Sequence, residues 1–195
     1  MIDCRLLGSL RNLSAESGFT GVEIVAVILG VFKEGYGRVA VSRKTGIGER
    51  RIRNVYEYLN TLKTIKPGVY EAVVGGLVNS LVETDTAGEY HATVVSPVDP
   101  GLLRAVESRV VELRDWIIVE TRSRDCIEVI GVVDKGVSFP RLPPDLVVKY
   151  AGILPGHARV NYSIVILWRK YIPILYESAV LSALANMCVS EEPAL

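Results

Sequence analysis

The sequence predicts an α+β protein in two parts: a helix-turn-helix unit with a following hairpin, and a smaller α+β domain with a mostly antiparallel sheet. Three observations predict it. Residues 41–62, VSRKTGIGERRIRNVYEYLNTL, carry a helix–Gly–helix pattern. Val-rich stretches of strand length follow in the second half. Pro97 and Pro100 flank Val98–Asp99 as a joint, which divides the chain into 1–97 and 98–195.

Each element can be justified in order. Residues 1–19 read as a short helix or arm ending in a polar break. Thr20 and Glu23 form a T-x-x-E capping box ahead of GVEIVAVILGVF. That helix is apolar nearly all round, so burial on more than one side is expected, against its own trihelical core and against a partner subunit or the second domain. Gly35 and Gly37 end it. Arg38 to Lys44 is the second helix, and Glu49 to about Lys63 the third, stopped by Pro67 and Gly68. Between them Gly46 is the hinge, free to take positive φ, and Ser42 is small where the helices approach. Ile52, Val55, Leu59 and Leu62 line one face of the third helix. Arg50, Arg51, Arg53, Asn54 and Glu57 are left pointing outward. Arginines suit phosphates and guanine edges, and asparagine suits adenine.

Residues 69–80 suit a short helix or a strand pair. Residues 81–95 alternate around a turn at Thr86–Ala87–Gly88 and predict a hairpin. Its acidic tip, Glu83, Asp85 and Glu89, is unsuited to lying on phosphates. In the second half the pattern predicts a helix from Gly101 to Arg114. Strands are expected at 116–120, 126–133, 160–168 and 172–175, with a last helix over 177–188. Residues 134–157 are rich in proline and glycine and read as a structured loop over the sheet, a place for a ligand. Asp134, Lys135, Arg141 and Arg159 would set the polarity of an effector there, with Lys149 and His157 also nearby in sequence.

Charge separates the same regions. The chain is neutral overall, yet Lys33 to Lys66 holds nine basic residues against Glu34, Glu49 and Glu57. That surplus of six is the footprint of a segment meeting a polyanion. Cys4, Cys126 and Cys188 are far apart, no C-x-x-C pair exists, and His91 and His157 are the two histidines, so reduced cysteines and no metal or other cofactor are expected. Arg5 and Arg11 interrupt any signal-peptide core, and the longest apolar run is too short for a bilayer span, which points to a cytoplasmic protein without membrane contact. The absence of glutamine fits a thermophilic source.

No nucleophile elbow, P-loop, H-E-x-x-H or dinucleotide fingerprint occurs, so no catalytic residue is assigned. The arrangement over Thr20–Leu62 resembles the prokaryotic, in particular archaeal, winged-helix transcription regulators. That resemblance implies a DNA-binding transcriptional regulator, not an enzyme, whose third helix enters the groove with Arg50, Arg51, Arg53 and Asn54 facing it and Arg43 and Lys44 touching the DNA backbone. Expected partners are double-stranded DNA, a small-molecule effector if the second domain senses one, and a second copy in a homodimer. The alternatives are a winged-helix protein-interaction module without DNA binding, favoured by the acidic hairpin, and a small-molecule enzyme built on the C-terminal half.

Overall fold

The computed structural model describes residues 1–154, 156 and 160–188. They form an α+β structure of two compact units: Cys4–Asn79 with the chain from Ile172 onward, and Met1–Asp3 with Ser80–Tyr171. The sequence reading put one boundary at Pro97. The chain instead divides at Asn79/Ser80 and again at Tyr171/Ile172, so the sheet unit is inserted into the helical one. Local patterns record where elements begin and end, and not which distant element completes a core.

The helical unit contains α1 (Cys4–Ser17), α2 (Gly21–Lys33), α3 (Arg38–Thr45), α4 (Glu49–Ile65), α5 (Pro67–Val78) and the last helix of the chain, Leu175–Met187. The capping box at the start of α2 is present: the Glu23 amide donates to Thr20 Oγ1 at 3.2 Å and the Thr20 amide to Glu23 Oε2 at 2.9 Å. Its second half, Ile28–Lys33, widens into π-helix. Residues Val22 and Ile24 to Leu29 are all buried. What covers them includes the C-terminal helix, whose residues from Tyr176 to Ala185 are themselves buried. Apolar surface on these two helices, more than a small domain easily buries, would argue for a second copy. They cover each other within one chain, so that argument for a second copy falls away.

A disulfide joins Cys4 to Cys188, so the expectation of three reduced cysteines is corrected; Cys126 alone is free and buried. The pair is 184 residues apart in sequence, which is why spacing gave no sign of it.

The sheet unit carries β1 (Leu81–Ala87), β2 (Tyr90–Ser96), α6 (Pro100–Ser108), α7 (Val110–Thr121), β3 (Ile127–Asp134), β4 (Gly136–Ser138), α8 (Pro144–Ile153) and β5 (Ser163–Trp168). The C-terminal helix is thus α9. The strands form one antiparallel sheet in the order β1-β2-β5-β3-β4. All six residues of the central strand β5 are buried, as a strand covered on both faces requires. On one face Ala92, Val94, Val129, Val165 and Leu167 pack with Phe139, Tyr150 and Leu154. Helices α6 and α7 pack on β3 and contribute nothing to that cluster, which places them on the other face. The first residues of the chain belong here too: the Ile2 amide donates to Pro97 O at 2.8 Å, and Ile2 is fully buried.

Several elements differ from expectation for identifiable reasons. Residues 116–120, WIIVE, are the end of α7 and not a strand, because Val110, Leu113 and Ile117 continue a helical buried face. Residues 172–175 form no strand; Pro173 cannot donate to a ladder, and α9 starts at Leu175. The loop expected over 134–157 holds β4 and α8, whose first turn takes Pro144 at the position where a missing N–H costs nothing. The hairpin 81–96 exists, with its turn at Gly88–Glu89, but it is the β1–β2 end of the sheet. Among the described residues the helical unit contains no strand, so this hairpin is not a wing on it. Among the described residues no single helix is long and apolar enough to cross a membrane.

Candidate nucleic-acid interface and an arginine-lined cavity

Helices α3 and α4 meet at Gly46, which has φ 74° and donates its amide to Ser42 O at 2.9 Å, closing α3. Local hydroxyls fix the turn. Ser42 Oγ donates to Ile47 O at 2.7 Å, and Thr45 Oγ1 donates to Val41 O at 2.8 Å while accepting from the Ile47 amide at 3.2 Å. Val41, Ile52, Val55, Leu59 and Leu62 are buried, as the spacing predicts. The close approach that sequence reading assigned to Ser42 also involves Gly30 of α2: a Cβ there would lie 2.6 Å from Val41 Cγ2.

The six predicted DNA-facing residues fall into three groups. Arg50 and Arg53 are exposed and Asn54 half-buried near the start of α4, with no hydrogen bond or ion pair to any described residue. Arg43 and Lys44 are exposed at the end of α3, Lys44 with its ammonium 4.8 Å from the Tyr36 ring centre. Arg51 differs. Its Nε donates to Glu23 Oε1 at 2.7 Å and its Nη2 to Glu23 Oε2 at 2.6 Å, while the guanidinium lies 4.9 Å from the Phe19 ring centre. It fastens α4 to the capping box of α2. Burial raises the Glu23 pKa, but hydrogen bonds from Arg51 and the Thr20 backbone outweigh it and leave the carboxyl below its ordinary value. The sequence could not separate Arg51 from its neighbours, because its partner is 28 residues away.

The same surface carries an aromatic ridge that the sequence reading did not use. Phe32 stacks on Tyr56 with ring centres 5.7 Å apart, and Tyr70 meets Phe32 edge-on at 6.4 Å. Arg38 lies over Tyr56 at 5.3 Å and Lys63 over Tyr70 at 5.6 Å. Cations held on ring faces keep positive charge at a defined place on the surface.

Of the expected effector residues that the structure describes, Asp134 and Lys135 stand together and Arg141 stands apart. Asp134 and Lys135 are exposed at the β3–β4 turn and line a pocket of about 320 Å³ with Arg104, Glu107 and Tyr162. Arg159 and His157 lie outside the described residues. Arg141 lines a different cavity of about 270 Å³, with Arg114, Arg124 and Arg169, carboxylates Asp125 and Glu128, and an apolar lining that includes Val110, Val129, Ile130 and Leu142. Three of its four arginines were missed. They sit at 114, 124 and 169 on different elements, and only the antiparallel sheet brings them to one place.

Glu128 is the fixed point of that region. It accepts hydrogen bonds from the Tyr150 hydroxyl and from Arg169 Nε, and one from the Tyr90 hydroxyl at 3.4 Å. Burial pushes its pKa up, and the Tyr150 and Arg169 hydrogen bonds more than reverse this. Tyr90 is pushed up to about 12, by burial first and then by its acidic neighbours Glu89 and Glu128. No family model matches this chain, and neither a curated protein nor a solved structure shows detectable similarity to it.

Proposed function

We propose that the chain is a DNA-binding regulator that meets duplex DNA through α3 and α4. One observation carries the reading: Arg50, Arg53 and Asn54 stand unengaged near the start of α4, immediately after a Gly46-hinged turn, with Arg43 and Lys44 beside it. A helix presenting that set suits a major groove, with arginine on phosphate or guanine and asparagine on adenine. Lys63 and Arg38 on the aromatic ridge extend the positive surface for backbone contacts. Arg51 is withdrawn from the reading side and positions α4. The acidic hairpin that favours a protein-interaction module belongs to the sheet unit.

The test is a salt titration of binding to mixed-sequence duplexes, followed by fluorescence anisotropy. Each phosphate contact contributes about 0.9 to the slope of log affinity against log salt. The Arg50→Ala/Arg53→Ala variant is expected to bind at least tenfold more weakly with a flatter slope. Wild-type affinity and slope in that variant would end the proposal.

A further inference from the structure

We infer that the cavity beside β3 is a binding site for a small phosphorylated molecule with an apolar body, its phosphate held by Arg114, Arg124 and Arg141. Strand β4 pairs with β3 only at residues 132 to 134, so the β3 edge from Ile127 to Ile130 is not covered by it. The first turns of α7 wall one side of the cavity through Val110, Val111 and Arg114. Pro140, Arg141 and Leu142 close the other. Arg141 is held there with φ 68°, a conformation that a side-chain-bearing residue rarely takes.

The charges are what select the ligand. Glu128 does not oppose an anion, because Arg169 and two tyrosines already satisfy it. Arg114, Arg124 and Arg141 have no partner among the described residues, against the one remaining carboxylate, Asp125. Planar guanidinium forks match the oxygens of a phosphate better than any other cation in proteins. Valine, isoleucine, proline and leucine in the lining offer nothing to a purely ionic ligand, so an apolar or planar body is expected beside the phosphate. At about 270 Å³ the site lies just under the ~300–1,000 Å³ of drug-sized pockets, which favours a metabolite over a peptide. The uncovered edge is four residues long and walled on both sides, too short to template an added strand.

The inference is independent of DNA binding, and the experiment keeps the two apart. Calorimetric titration of the full chain at low salt uses AMP, adenosine, inorganic pyrophosphate, citrate and an extended Asp/Glu peptide as probes. AMP is expected to bind in the micromolar range, adenosine not to bind, and pyrophosphate to displace AMP. Arg114→Ala/Arg141→Ala should weaken AMP at least tenfold without moving the thermal transition, since neither side chain has a partner to lose. Arg124→Ala should weaken it separately, and Arg50→Ala/Arg53→Ala should leave it unchanged. The inference is overturned if AMP fails to bind, if adenosine binds as well as AMP, or if citrate or the peptide binds in preference. Equal AMP affinity in the cavity variants overturns it too.

Discussion

The two units solve the same problem, how to present arginine, in opposite ways. In each, an arginine beside the candidate site is fastened to a glutamate: Arg51 to Glu23 on the helices, Arg169 to Glu128 at the sheet. In each, neighbouring arginines are left unengaged. On α4 they lie on an exposed helix surface, where an extended polyanion can reach them. At β3 they are exposed too, but they surround a pocket of about 270 Å³ with an apolar lining, sized for a small anion. The arginine count is a poor guide to the ligand; the curvature of the surface that carries the arginines is the better one.

The largest effect that can break this comparison comes from the disulfide. Both cysteines belong to the helical unit, so Cys188→Ser or reduction should loosen that unit selectively. Loop-closure entropy for so long a loop gives up to about 5 kcal/mol. Hydrogen exchange should show faster opening of α1 and α9 and unchanged protection of β2 and β5. Equal loosening of the sheet would mean that the units do not fold independently.

The comparison is sharpened next by exchanging the arginine sets. Arg50→Glu/Arg53→Glu should abolish duplex binding and leave AMP binding intact, while the cavity variants do the reverse. If one set affects both ligands, the division of labour is wrong.

Smaller effects distinguish the two fastened pairs. Glu128 has a side chain only 9% exposed and accepts three hydrogen bonds, so Glu128→Gln should cost about 1–3 kcal/mol by chemical denaturation. In the Arg51–Glu23 pair the arginine is 45% exposed and the carboxylate, at 14%, is less deeply buried than Glu128, and a double-mutant cycle should return about 0.5–1 kcal/mol. Both carboxyl groups have folded pKa values below 4.5, so both bind fewer protons folded than unfolded near that pH. Their contribution is therefore complete above about pH 4.5 and lost as pH falls through the folded values. Glu128→Gln should flatten the acid limb of stability more than Glu23→Gln. The opposite ranking would show that burial, not hydrogen bonding, governs Glu128.

Much of the helical unit was legible in the sequence because its signals are local. The Thr20–Glu23 box, the Gly46 hinge and the Ile52–Leu62 face each lie within one or two turns. The sheet unit was read less well. WIIVE has strand-like residues but helical partners, and Pro143–Pro144 marks a helix start that looks like a loop. The candidate sites followed the same rule. Arg50, Arg53 and Asn54 were found because they are neighbours on one helix. The cavity arginines, and the difference between Arg51 and Arg50, depend on partners distant in sequence, which composition and periodicity do not record.

The bond between Cys4 and Cys188 makes everything between them a covalent ring. Tension applied at the ends therefore runs through two sulfur atoms once Met1–Asp3 has been peeled from the sheet. Neither the helices nor the ladder of β-strands bears that load. Under force the oxidised molecule should stay short, and reduction should release roughly 600 Å of contour length, set by the sequence separation of 184. By the same topology, one cut anywhere in the inserted segment leaves a single molecule until the sulfur bridge is opened.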